Sequence, residues 1–257
     1  MSTLTLTLVQ SSLHWLDKSA NLAMFDKQLG GLTEKPDLIL LPETFATGFA
    51  INHDCAEPEN GLVLTWLKQQ AKKHNAVIAG SVLVAQNDKK ANRFYWVKPC
   101  GEVTHYDKRH LFRLGNEGDH VIAGNERKVF EINGFKVLPQ VCYDLRFPVF
   151  QRNKNDYDIM VNVANWPAVR RPAWDTLLAA RAIENLCYVV GVNRVGDDGN
   201  GVAHNGGTAV YNFKGETLAK AGDNIKQLLT ITLEKEPLDA FKTSFPAYLD
   251  ADPFTLT

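Results

Sequence analysis

The feature that most constrains this chain is the repetition, near its start, of an apolar strand followed by an amphipathic helix. Leu4, Leu6 and Leu8 alternate with Thr3, Thr5 and Thr7, the period of two that gives a strand one apolar face. Asp17 then offers an N-cap for a helix running toward Leu29, with Gly30 as its stop. Asp37 to Leu41 is a short apolar strand closed by Pro42. Leu62 to His74 fits a second helix, with Leu64, Leu67 and Ala71 on one face. Ala76 to Ala85 is apolar on both faces, as expected of a strand covered on both sides. Two β-α-β units in succession point to an α/β architecture.

Beyond these units the pattern changes to hairpins. Gly101 separates two strand-like runs, and Asn133-Gly134, between Val129 to Ile132 and Lys136 to Val141, is a type I′ turn signal. His110 to Arg127 is polar and without clear period, and reads as a long functional loop or lid. The α/β pattern resumes with a strand at Ile159 to Val163. A helix follows from Pro172 to Cys187, with Trp174, Leu177, Leu178, Ala182 and Leu186 as its apolar stripe. Tyr188 to Val192, Thr208 to Phe213 and Leu228 to Leu233 supply further strands. No linker or repeat interrupts the chain, so residues 1–257 are read as a single domain.

Composition narrows the function classes. The 257 residues are 45% hydrophobic and 22% charged, the balance of an ordinary globular enzyme. With 28 basic and 29 acidic side chains the net charge is -1, so no long-range field favours nucleic acid or an anionic membrane. No apolar run approaches the ~20 residues of a membrane span. Met1 to Gln10 reads as a first strand, not a signal peptide. The four cysteines, Cys55, Cys100, Cys142 and Cys187, include no Cys-x-x-Cys pair. Neither a zinc site nor a disulfide framework is expected, and a reducing cytoplasm is the natural compartment.

Three segments carry candidate chemistry. Cys142 lies where a strand ends at Val141 and a turn begins, a junction that can present a nucleophile at a sheet edge beside backbone N–H donors. A buried small hydrophobe is the alternative reading of that cysteine. Glu43 directly follows the apolar strand that Pro42 closes, where a carboxylate can exchange a proton with a thiol; alone, it reads equally as a cap or a solvated charge. Lys108, at the end of a hairpin strand, is either a surface charge or a fixed cation for an oxyanion.

Taken together, in the chain order Glu43, Lys108, Cys142, these segments resemble the nitrilase, or carbon-nitrogen hydrolase, superfamily. The resemblance rests on Leu-Pro-Glu43-Thr, Tyr-Asp-Lys108-Arg-His-Leu-Phe and Cys142-Tyr-Asp-Leu-Arg-Phe-Pro. It extends through Asn165-Trp166-Pro167, Ala180-Arg181-Ala182-Ile183-Glu184-Asn185 and Gly206-Gly207-Thr208. Glu117 matches a second family glutamate thought to orient the lysine. Val149 departs from the acidic residue many relatives carry after Arg-Phe-Pro, a change that bears on local helix packing more than on chemistry. The resemblance implies a four-layer α-β-β-α sandwich and a homodimer joined through helices. Pro172 to Cys187 is a candidate for that contact, although its stripe can equally pack within the chain.

The implied chemistry is a Cys–Glu–Lys hydrolysis of an amide without metal or organic cofactor. Lys108 and the backbone N–H of Tyr143 would form the oxyanion hole. Within the superfamily the Cys142 segment looks most like the omega-amidases, which deamidate 2-oxoglutaramate and 2-oxosuccinamate. Such a small-molecule substrate ends in a carboxylate, for which Arg146, Arg170 and Arg171 are the candidate anchors, with at least one of them expected to be structural. Phe45, Phe49, Phe112, Tyr143 and Trp166 are candidates for the wall of a narrow pocket, or for core. The same machinery could act on a nitrile, an N-carbamoyl compound or another linear amide. A papain-like enzyme would need a histidine base, and neither His110 nor His204 has a recognisable partner context. A non-catalytic binding protein on the same fold would be expected to lack one of Glu43, Lys108 and Cys142, yet all three are present.

Overall fold

The computed structural model describes residues 2–256. Its first strand, β1 (Thr3–Gln10), alternates as its sequence dictates. Leu4, Leu6 and Leu8 enter the core, and Thr5 and Thr7 pair with Thr232 and Thr230 across an antiparallel neighbour, hydroxyl to hydroxyl. Helix α1 (Lys18–Gly30) is capped by Asp17, whose side chain accepts the Ala20 N–H at 2.9 Å. Strand β2 (Leu38–Leu40), helix α2 (Leu62–His74) and strand β3 (Val77–Gln86) complete the two β-α-β units, and β1, β2 and β3 lie parallel to one another. The hairpin strands β4 (Lys89–Val97) and β5 (Val103–Asp107) extend this sheet at one edge.

The second sheet begins with the hairpin of β6 (Phe130–Ile132) and β7 (Phe135–Val141). At its turn Asn133 and Gly134 have φ of 48° and 80°, the two positive values that a type I′ turn requires. Strands β8 (Ile159–Ala164) and β9 (Tyr188–Asn193) run parallel to β7, with helix α5 (Arg171–Asn185) as their crossover. A small separate hairpin, β10 (Val195–Asp197) and β11 (Ala203–Asn205), precedes β12 (Ala209–Tyr211) and β13 (Thr217–Lys220). The final strand, β14 (Gln227–Glu234), returns to the first sheet beside β1 and is followed by helix α6 (Lys235–Ser244). The sheet orders are therefore β14-β1-β2-β3-β4-β5 and β13-β12-β9-β8-β7-β6.

Three apolar clusters define the layers. Leu4, Leu6, Leu40 and Trp96 from one sheet meet Phe135, Val161, Val163 and Val190 from the other. On the far side of the first sheet, Phe25, Trp66 and Leu67 of α1 and α2 cover Ile39, Ile78 and Tyr95. On the far side of the second, Trp174, Leu178 and Ala182 of α5 cover Leu138, Met160 and Val189. The expected four-layer α-β-β-α sandwich is the observed fold. Period-two alternation drives it: in β8, Ile159, Val161 and Val163 face the opposite sheet while Met160 faces α5.

The polar stretch 110–127 is more structured than its sequence suggests. It holds a 3-10 turn at Arg113–Gly115 and a single helical turn, α3 (Glu117–His120). It is also pinned to the first sheet, because the Ile122 N–H donates to the Lys90 carbonyl and the Gly124 N–H to the Lys108 carbonyl, both at 2.8 Å.

Candidate active site

The site forms at the carboxyl ends of strands from both sheets, each strand's end being the usual ligand position in α/β sheets. Glu43 follows β2 and Lys108 follows β5 in the first sheet, while Cys142 follows β7 and Asn165 follows β8 in the second. All four line one cavity of about 310 Å³.

The polar centre of the cavity is fully buried. Lys108 Nζ lies 3.1 Å from Glu43 Oε1 and 3.0 Å from both carboxylate oxygens of Glu117. These side chains are 1% exposed for Lys108 and 0% for both glutamates, so the three charged groups meet one another and not bulk water. Burial alone works against the ammonium charge, but Glu117 and Glu43 outweigh it and hold Lys108 above its ordinary range. Glu117 is itself oriented by the Phe112 N–H at 2.6 Å. Glu43 accepts two further hydrogen bonds, from Asn92 Nδ2 and from the Asn165 N–H, both at 2.8 Å. Asn165 Nδ2 also holds the Glu43 backbone carbonyl at 2.6 Å. The carboxylate cannot rotate away from the cavity without losing these partners.

Cys142 is less enclosed than its neighbours and adopts φ of 47°, left-handed backbone that a non-glycine residue takes only under constraint. It directly follows β7 and begins a 3-10 turn, Cys142–Arg146, the strand-to-turn junction that the sequence indicates. Burial pushes its thiol well above the ordinary cysteine range; the charge of Glu43 and a hydrogen bond to it add to the shift, and Lys108 opposes it. The group is a thiol at neutral pH, not a free thiolate.

Tyr143, Arg146, Phe112, Trp166 and Arg170 also line the cavity, together with Phe49. The Arg146 guanidinium lies 5.0 Å from the Trp166 ring centroid and that of Arg170 lies 5.2 Å from Phe112. One expected wall residue and one candidate anchor fall elsewhere. Phe45 is fully buried on the opposite face, against Phe25 and Trp66 under α1 and α2, because two residues beyond Glu43 the chain has already turned into the helical layer. Arg171 is a structural ion pair: its guanidinium binds Asp175 at 2.7 Å and Asp223 at 3.0 Å, outside the cavity.

Sequence reasoning missed Asn92, because beside Lys89, Lys90 and Arg93 at the polar start of β4 it carries no distinguishing signal. It also missed the β10–β11 hairpin, whose Asp198, Asn200, Val202 and His204 form one wall. Burial and the nearby Arg194 charge push His204 down to about 4, so its ring is neutral at physiological pH. Among the described residues no group of three or more His, Cys, Asp or Glu side chains is placed to hold a metal ion.

Fold and site together define an enzyme that hydrolyses carbon–nitrogen bonds. The chain belongs to the carbon-nitrogen hydrolase family, whose model matches residues 5–243. It is 50% identical over 257 residues to Omega-amidase YafV of Yersinia enterocolitica, covering 100% of both chains. It is 32% identical over 200 residues to the 2-oxoglutaramate amidase of Bacillus subtilis strain 168, covering 76% of this chain and 77% of that one. Among solved structures, XC1258 from Xanthomonas campestris, a CN-hydrolase superfamily protein crystallised with an arsenic adduct in its active site, superposes with a TM-score of 0.97. It shares 43% identity over 100% of both chains.

Proposed function

We propose that the protein is an omega-amidase, hydrolysing the terminal carboxamide of a small 2-oxo acid amide such as 2-oxoglutaramate or 2-oxosuccinamate. The reading is carried by one observation: the cavity that holds Cys142, Glu43 and Lys108 also presents Arg146 and Arg170. Both guanidiniums rest on aromatic rings, and neither has an ion-pair partner among the described residues. Unpaired guanidiniums in a walled pocket suit a substrate carboxylate. The names of the relatives point the same way.

In the proposed mechanism Glu43 takes the thiol proton as Cys142 Sγ attacks the amide carbonyl carbon. Lys108 and the Tyr143 backbone N–H stabilise the oxyanion. Collapse breaks the C–N bond, Glu43 returns the proton to the departing nitrogen, and ammonia leaves a thioester on Cys142. Water, deprotonated by Glu43, attacks that thioester; the acid product departs and the thiol is restored. Glu117 keeps Lys108 charged and oriented.

We further infer a homodimer and a cytoplasmic setting. The four cysteines are unpaired, which supports a reducing compartment. Ile183 on α5 and Val149 on helix α4 (Pro148–Gln151) are 53% and 55% exposed, which supports a helical contact face on the second sheet's side. Sedimentation at micromolar concentration distinguishes dimer from monomer. For the activity, ammonia release is measured on 2-oxoglutaramate, glutamine, a nitrile and propionamide. Preference for the 2-oxo acid amide is expected, and equal rates on propionamide would remove the carboxylate anchor from the argument.

A further inference from the structure

Asp144 is a fully buried carboxylate to which the reaction scheme gives no task. Its Oδ1 accepts the His110 backbone N–H at 2.9 Å and lies 2.7 Å from His110 Nδ1. Its Oδ2 accepts the Val141 N–H at 3.0 Å and the Tyr106 hydroxyl at 2.9 Å. The Tyr106 oxygen in turn accepts the Arg109 N–H at 3.1 Å. One side chain thus holds two stretches far apart in sequence. Residues 106–110 carry Lys108, and residues 141–147 carry Cys142. The His110 ring is itself fixed, stacked on Phe147 with centroids 4.0 Å apart and planes at 6°, and it meets the edge of Phe150 at 5.3 Å.

The location matters because the Cys142 backbone is strained. A left-handed non-glycine residue costs about 1–3 kcal/mol and persists only where its surroundings over-determine it. The Val141 amide immediately before that strained residue is held by Asp144, as is the chain two residues beyond Lys108. A buried carboxylate without partners would be strongly unfavourable. Four donors offset that cost, and all four come from the segments that deliver the nucleophile and the cation.

We propose that Asp144 is a positioning residue: with Tyr106 and His110 it clamps the Cys142 turn to the Lys108 segment and so fixes the sulfur against the ammonium. The inference rests on the roles given above to Cys142 and Lys108. A displacement of about 1 Å between reacting groups costs on the order of a hundredfold in rate, which is the loss expected when the clamp opens.

The test compares Tyr106→Phe, which deletes one oxygen and keeps the ring, with Asp144→Asn. Three quantities are read: kcat and KM on 2-oxoglutaramate, and the rate at which iodoacetamide labels Cys142, followed on its own peptide because Cys100 is exposed. Tyr106→Phe is expected to lower kcat about tenfold and Asp144→Asn about a hundredfold, with KM changed by less than about threefold. Cys142 labelling slows in the same order. If Tyr106→Phe, or a folded Asp144→Asn, keeps wild-type kcat and labelling and loses only thermal stability, the clamp is merely structural and the proposal fails. Should Asp144→Asn not fold, Tyr106→Phe decides alone. Labelling needs no substrate, so wild-type inertness toward 2-oxoglutaramate would reject the substrate reading while the labelling rates still judge the clamp.

Discussion

At the scale of single residues, the proposed chemistry turns on Cys142 being a thiol. Burial is the first cause of its raised pKa and the Glu43 charge the second, so the proposed mechanism needs a base at the moment of attack. The sign is definite: a raised pKa places thiolate formation above the ordinary range. Iodoacetamide labelling of Cys142 should therefore keep climbing beyond pH 9, where an unperturbed cysteine levels off. Levelling near pH 8.5 would contradict the assignment. Glu43→Gln and Cys142→Ala, if folded, should each lose about a thousandfold or more in kcat. On the proposed reading the two cavity arginines act on binding. Arg146→Gln and Arg170→Gln should raise KM for 2-oxoglutaramate about tenfold each, near the ~1.5 kcal/mol of a charge-assisted hydrogen bond, and leave propionamide unaffected. An equal effect on both substrates would mean that these residues shape the wall and do not bind the carboxylate.

At the scale of elements, legibility followed from how local each determinant is. Asp17, the Leu62–His74 face and Asn133-Gly134 act through neighbours one turn away, and the elements stand where the pattern put them. The β10 and β11 strands are three residues each, too short to show a period, so the hairpin that walls the site was invisible. Helix α6 escaped because its apolar face, Leu238 and Phe241, is sparse in a charged segment. Phe45 and Arg171 were misplaced for a related reason: spacing tells which residues are near Glu43 and Trp166 in sequence, not which layer each side chain enters. The 110–127 stretch was read as a loop or lid because its restraints are long-range backbone bonds to β4 and to Lys108. Gly124 tests that restraint. A methyl group there would overlap the Asp107 carbonyl oxygen, rigid backbone beside Lys108. Gly124→Ala should cost about 2 kcal/mol of stability and lower kcat as well, because the segment it displaces carries Glu117. Unaltered melting and turnover would show that the stretch moves freely.

At the scale of the whole molecule, the sandwich draws ionisable groups away from water, and its stability must then depend on pH. His204 is the clearest case, because its wall of the cavity pushes the imidazole down to about 4, against about 6.5 in an unfolded chain. Above pH 6.5 both states are neutral and the group contributes nothing to the pH dependence. Between 6.5 and 4 the unfolded chain binds the proton and the folded protein does not, so stability falls as pH falls, with a slope approaching about 1.4 kcal/mol per pH unit. Below 4 both states are protonated and this contribution levels out. Buried carboxylates that lose their partners on protonation add to the acid-side loss, so the His204 share is obtained by difference. In urea titrations at pH 7.0 and 5.0, His204→Gln should show a smaller drop in unfolding free energy than the wild type, by about 1–2 kcal/mol. Glutamine has no charge to gain and can still hydrogen-bond within the hairpin. An identical drop in the two proteins would mean that His204 titrates in the native state, so that the wall beside Cys142 admits water and positive charge.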